Sequence, residues 1–133
     1  MPASVHFYKC DITSPEAIRN TARRIREDVG SPSILINNAG IGTAKSLLDE
    51  TNEEIQRTFD VNNVAHFWMA REFLPQMIQQ NHGHVVTVAS MASFITLASN
   101  VSYSCTKAAA LSFHEGMAQE LRHRHGARKV RTS

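Results

Sequence analysis

The strongest constraint on how this chain folds is that its hydrophobic period switches back and forth. Short β-type runs, "SVHFY" (4–8), "SILIN" (33–37) and "HVVTVA" (84–89), alternate with longer stretches of helical period. Strand, helix, strand, helix, strand, helix is the signature of an α/β fold with a parallel sheet and right-handed crossovers. "HVVTVA" is almost continuously apolar, which suits a parallel strand covered on both faces. In such sheets ligands bind outside the carboxyl ends of the strands. Two short sequences fall there, "NNAG" (37–40) and "ASMAS" (89–93), so the chemistry is expected at that edge.

The helices carry their own punctuation. Over 11–30, Ser14 is placed to cap, Pro15 to open the first turn and Gly30 to stop the helix. Ile18, Ala22, Ile25 and Val29 form its apolar stripe. A second helix opens at "TNEE", where Thr51 and Glu54 have the spacing of a capping box, and runs to about "NHG" (81–83). A third runs from Ser102 to about Arg124, and "RKVRTS" (128–133) begins another strand. The 133 residues suffice for one modest domain with a core.

Several function classes are disfavoured. A net charge of +2 is too small to argue for nucleic acid or an anionic membrane. The cations concentrate in "LRHRHGARKVR" (121–131), without interleaved aromatic residues, as a solvated helix end would. Cys10 and Cys105 lie far apart and fit no ligand spacing, so a reducing, intracellular setting is expected. The first ten residues have no apolar segment of signal-peptide type, and no run reaches a membrane span. A soluble chain is therefore expected, with membrane association of a longer parent left open. His82 with His84, and His123 with His125, have no evident third ligand, so no metal site is expected.

One constellation is chemically suggestive. Tyr103 and Lys107 stand one helical turn apart and share a face. A free tyrosine, with a pKa of about 10, is a poor base at neutral pH, and a fixed cation nearby favours its phenolate. The pair is thus a way to build a proton donor or acceptor. Ser90, at a strand end, would add a neutral hydrogen bond to a substrate oxygen. Alone, Tyr-x-x-x-Lys is a common chance pattern, better read as Tyr103 in the core and Lys107 on the surface. "NNAG" alone is better read as an ordinary turn, although Gly40 could let a ligand approach its backbone. Asp11, after the first β-type run, is as ambiguous, since it stands just before the Ser14 cap.

Taken in order, these features resemble the short-chain dehydrogenase/reductase family: Asp11-Ile12, "NNAG", Asn62 within "FDVNN", then Ser90, Tyr103 and Lys107. The stretch "VNNVAHFWMAREFLPQMIQQNHGHVVTVAS" (61–90) is similar to the branch holding retinol and 17-beta-hydroxysteroid dehydrogenases. The resemblance implies a partial Rossmann-like, doubly wound parallel sheet with three main strands and three long helices. It implies an NAD- or NADP-dependent oxidoreductase that interconverts an alcohol and a carbonyl, on a small lipophilic substrate of retinoid, steroid or lipid-like type. Tyr103 would be the general acid/base, Lys107 would lower its pKa and hold the nicotinamide ribose, Ser90 would polarise the carbonyl, and Asn62 would hold a water in the proton relay. Asp11 and Ile12 would meet the adenine, and Asn38, Ala39 and Gly40 the adenosine side. Family members commonly dimerise through the helices matching the second and third here, so a homodimer of the full-length parent is expected. His66-Phe67-Trp68 fits core or subunit interface, and "SMASFITLAS" (90–99) either lines a substrate pocket or is a buried loop.

The family pattern also opens with a strand, a Gly-rich turn and a helix whose N-terminus holds the pyrophosphate. Residues 1–133 carry no such segment, and the residue that selects NAD or NADP falls in the part not matched. The expectation is a single incomplete NAD(P)-binding domain over 1–133, truncated at both ends. In the family's strand order, 3-2-1-4-5-6-7, the run at 4–8 would lie two strands away from "SILIN". It must shift to pair with "SILIN" or stand apart and leave an open edge. Two readings follow: a piece of an active dehydrogenase, or a catalytically inactive short product that associates with full-length relatives through its long helices. A reading frame upstream carrying "TGxxxGxG", continuous with "SVHFYKC", would favour the first.

Overall fold

Local signals start each helix. In the computed structural model, which describes residues 4–133, helix α1 spans Pro15–Val29. Ser14 Oγ accepts from the Ala17 N–H, Pro15 opens the first turn, and Gly30 leaves the helix at a φ of 85°. Strand β1 (Ile34–Asn37) follows, then helix α2 (Asn52–Phe59), opened by the expected capping box of Thr51 and Glu54. A π-helical turn over Asp60–Val64 joins α2 to α3 (Ala65–Gln80), which ends where Asn81 turns left-handed. Strand β2 (Gly83–Thr87), helix α4 (Val101–Gln119), a second π turn (Glu120–Arg124) and strand β3 (Val130–Thr132) complete the chain.

The sheet is parallel, in the order β1-β2-β3. Leu35 pairs with Val85 and Gly83 with Val130, which brings Leu35, Val85 and Val130 to one face. There they meet Ala22 of α1, Phe73 and Met77 of α3, and Met117 and Leu121 of the last helix in one buried cluster. All three long helices thus cover the same face, one of the two helical layers of a doubly wound fold. On the other face Ile34 and Ile36 remain 58% and 59% exposed.

The three strands are not the three read from the sequence. Residues 4–8, expected as a strand, make none, and the third strand is the run at 130–132. A strand needs ladder partners as well as β-type residues. The segment is tied to α1 instead: Tyr8 Oη donates to Asp28 Oδ2 at 2.9 Å, and the Arg24 guanidinium lies over the Tyr8 ring. Val5 and Phe7 stay exposed, and β1 is paired on one side only. Of the two outcomes expected for this run, it stands apart.

Helix α1 is fixed to α3 by Arg26, which bridges to Glu72 Oε1 at 2.8 Å and donates to the Glu72 carbonyl at 2.9 Å. Among the described residues no helix is long and apolar enough to cross a membrane. Cys10 and Cys105 are both free thiols.

Candidate active site

The carboxyl ends of β1 and β2 face the amino-terminal half of α4, and of the residues singled out in the sequence Gly40, Asn62, Tyr103 and Lys107 come together there. Tyr103 and Lys107 lie on α4, one turn apart. Lys107 is only 4% exposed, a position that a lysine occupies only when its ammonium is hydrogen-bonded. Its Nζ donates to the Val88 carbonyl, just past β2, at 2.9 Å, and stands 5.8 Å from the centre of the Tyr103 ring. The cation is therefore pinned beside the phenol rather than free on the surface.

Ser90 caps a short 3₁₀ turn (Met91–Ser93), where its Oγ accepts from the Ala92 N–H at 3.1 Å. That contact uses a lone pair and leaves the hydroxyl proton for another acceptor. Ser93 Oγ donates to the Lys107 carbonyl at 2.9 Å, which fastens the turn to α4. The turn and the loop beyond it are open: Met91, Phe94, Ile95 and Leu97 are exposed, as are Leu47 and Leu48 in the loop after β1. The run 90–99 is thus not a buried loop.

The π turn before α3 explains how two consecutive asparagines both face inward. Such turns insert an extra residue and often mark functional sites. Asn62 Oδ1 accepts from the Ile41 N–H at 2.8 Å. Its Nδ2 donates to the Ile41 carbonyl at 2.8 Å and to Thr106 Oγ1 at 2.9 Å. Asn63 Nδ2 donates to the Thr106 carbonyl at 2.8 Å. Thr106 Oγ1 passes its own proton to the Tyr103 carbonyl at 2.6 Å. The Asn62 side chain thus ties the loop after β1 to the helix that carries Tyr103.

The residues after β1 line the same place. Asn38, Ala39 and Gly40 are exposed. A Cβ added at Gly40 would stand 3.5 Å from Lys107 Nζ and 3.6 Å from Asn62 Oδ1, so the glycine keeps backbone open beside both. At Gly42 an added Cβ would lie 3.1 Å from Tyr103 Cδ2, so this backbone packs on the ring itself. Asp11 and Ile12 lie just before α1. Thr13 donates to Asp11 through its hydroxyl and its N–H, which holds the Asp11 carboxyl below its ordinary value.

Sequence reasoning missed Asn63, Thr106, Ser93 and Gly42. For Asn63 the doubled "NN" is the only local trace, because a regular helix would turn one of the pair outward. The other three act by tertiary contact and leave no spacing signal.

His66, on the first turn of α3, is buried against Phe113 of α4, with ring centres 5.7 Å apart. Phe67 meets Phe113 edge-on at 4.7 Å on the rim of an apolar groove of about 750 Å³ between α3 and α4.

The model for the family described as short chain dehydrogenase matches residues 2–131. Over 130 residues the chain is 56% identical to Dehydrogenase RED3 of Cochliobolus heterostrophus, covering 98% of this chain and 66% of that one. It is 44% identical to Retinol dehydrogenase 10-B of Danio rerio, over 89% of this chain and 35% of the relative. It is 42% identical to Estradiol 17-beta-dehydrogenase 11 of Rattus norvegicus, over 98% and 44%. The chain thus spans between about a third and two thirds of the length of these relatives. Among solved structures, a metagenomic short-chain oxidoreductase in complex with NADP superimposes with a TM-score of 0.85 at 29% identity, over 95% of this chain and 55% of that one. An NAD+-bound xylitol dehydrogenase gives a TM-score of 0.81 at 32% identity, over 86% and 45%. A parallel Rossmann-like sheet, the Tyr103–Lys107 face of α4 and a match along nearly the whole chain agree: this chain belongs to the short-chain dehydrogenase family.

Proposed function

We propose that the protein carrying these residues interconverts an alcohol and a carbonyl with a nicotinamide cofactor, NAD or NADP, on a lipophilic substrate of retinoid, steroid or lipid-like type. The observation that carries the reading is the buried Lys107 ammonium, pinned by the Val88 carbonyl 5.8 Å from the Tyr103 ring centre. In reduction Tyr103 gives its phenolic proton to the carbonyl oxygen, and in oxidation it takes the alcohol proton. Lys107 stabilises negative charge as it develops on the phenol oxygen. Ser90, with its proton unused by the Ala92 contact, donates to the same substrate oxygen. Asn62, which the family pattern assigns to the proton relay, fastens Ile41 to Thr106, one turn from Tyr103.

The donor set suits a nicotinamide ribose. Lys107 Nζ has three donors, of which Val88 takes one, and the bare backbone at Gly40 leaves room beside it. Lys107 and Tyr103 would hold the ribose hydroxyls, Asn38, Ala39 and Gly40 the adenosine side, and Asp11 and Ile12 the adenine. When bound, the nicotinamide exchanges a hydride with the substrate carbon, and the protein supplies positioning and the proton. For the pyrophosphate the described residues offer less. Their two positive-φ glycines, Gly30 and Gly126, follow helix ends rather than precede helix starts. Support for a lipophilic substrate comes from the exposed Leu47, Leu48, Met91, Phe94, Ile95 and Leu97, on loops that follow the carboxyl ends of β1 and β2.

In the complete protein, oxidation of NADH and NADPH with retinoid and steroid carbonyls tests the reading. Tyr103→Phe should lower turnover by about a hundred- to ten-thousand-fold with cofactor binding largely kept. Near-native turnover in that variant would sink it.

The apolar groove between α3 and α4 favours self-association, which belongs equally to a homodimeric dehydrogenase and to an inactive short product that binds full-length relatives. Phe67→Glu, on the groove rim, should shift the elution of the protein toward monomer in gel filtration. An unchanged elution volume would remove this face as the interface.

A further inference from the structure

Helix α4 starts without the usual help. Its N-cap, Asn100, makes no side-chain capping hydrogen bond, and the nine residues before it, 91–99, include the exposed apolar loop. An uncapped first turn frays, because its first N–H groups have no partners. Tyr103 is the third residue of that turn. Something else must hold it.

The loop between β1 and α2 does so at three points. At one end Asn62 grips both backbone atoms of Ile41. In the middle Gly42 packs on the Tyr103 ring. At the other end is Glu50, a carboxyl only 9% exposed that belongs to none of the positions matched to the family pattern. Glu50 Oε1 accepts from Ser102 Oγ, on the residue beside Tyr103, at 2.6 Å. The same oxygen accepts from Thr43 Oγ1, on the residue beside Gly42, also at 2.6 Å. One carboxyl oxygen therefore joins the neighbour of the phenol to the neighbour of the glycine it packs on. A carboxyl at the amino end of α4 is also the favourable partner for the helix dipole.

We infer that Glu50 is a positioning residue: by clamping Ser102 to Thr43 it holds the first turn of α4 against the 40–46 loop and fixes the Tyr103 phenol. That this placement serves proton transfer rests on the function proposed above. The clamp itself does not, so its test reads the position of Tyr103 without turnover. Only two tyrosines are present, and Tyr8→Phe assigns their ring signals. In the full chain without cofactor, a proton–proton NOE between Gly42 Hα and the Tyr103 ring should be strong. It should persist in Glu50→Gln, whose amide oxygen can accept from both hydroxyls. It should fall at least threefold in Glu50→Ala and in Thr43→Val, while core NOEs around Phe73 and Met77 stay unchanged. An NOE of native strength in Glu50→Ala would overturn the inference, as would equal losses in Glu50→Gln and Glu50→Ala. If Glu50→Ala does not fold, Thr43→Val and Ser102→Ala decide: a native NOE in both overturns it, and its loss in both supports it. In the complete enzyme the same clamp predicts a lower kcat with unchanged KM for the cofactor in Thr43→Val. Inactivity of every variant and of the native protein alike would refute the proposed function and leave the NOE result standing.

Discussion

Acidification should destabilise this chain through His66. The ring is 3% exposed on α3, stacked at a tilt on Phe113, and its Nδ1 has no hydrogen-bond partner among the described residues. Burial, helped by the nearby Lys107 ammonium, pushes its pKa down to about 4 from 6.5. The folded state therefore binds fewer protons than the unfolded state between those values. Stability is full above the unfolded pKa, falls as pH drops through about 6.5, and levels off near 4. By linkage the loss from about pH 8 to about pH 5 is RT ln of the ratio of the two binding polynomials, or roughly 2 kcal/mol. His66 packs against Phe113, which lines the open α3–α4 groove, so solvent screening brings the expectation to roughly 1–2 kcal/mol. Urea unfolding followed by the fluorescence of the single tryptophan, Trp68, reads this as a midpoint shift of about 0.5–1 M. Asp11 and Glu54, also shifted down, titrate in a more acidic window and contribute little there. His66→Leu should remove most of the pH dependence. The same slope in that variant as in the native chain would refute the assignment to His66.

Other perturbations separate packing from chemistry. Gly83→Ala puts a Cβ 2.7 Å from Met77 Cγ and 2.9 Å from Met77 Cβ, in a core where Met77 is fully buried, so it should cost about 1–3 kcal/mol despite the gain in chain stiffness. A thermal double-mutant cycle with Met77→Ala, which removes Cγ and Sδ, checks the cause, since an equal cost in both backgrounds would exclude a clash with those two atoms. In the complete protein Lys107→Met should lower both rate and cofactor affinity, because it loses the charge beside Tyr103 and a ribose donor. Unchanged affinity, measured by cofactor fluorescence, would refute the second role. Residues 1–133 alone should show no saturable low-micromolar binding of NADH or NADPH, because no glycine turn among the described residues precedes a helix start. A saturating fluorescence titration would show that argument to be wrong.

Much of this molecule is written locally. Ser14, Pro15 and Gly30 bound α1, and Thr51 with Glu54 opens α2, because caps and stops act within one turn of the chain. The parallel sheet followed from alternation, and Tyr103 and Lys107 share a face because four residues make about one helical turn. Tertiary structure decided the rest. The run at 4–8 has strand-like residues but no strand, since ladder hydrogen bonds come from a neighbour that no local pattern encodes. The π turn that buries both Asn62 and Asn63 exists because Ile41 and Thr106 offer them partners from distant parts of the chain. Glu50 reads as one more exposed acid before a helix until the fold brings Thr43 and Ser102 to the same oxygen. Periodicity specifies which way a side chain faces. Which groups it meets depends on contacts tens of residues apart, and those form only when the helices close on the sheet.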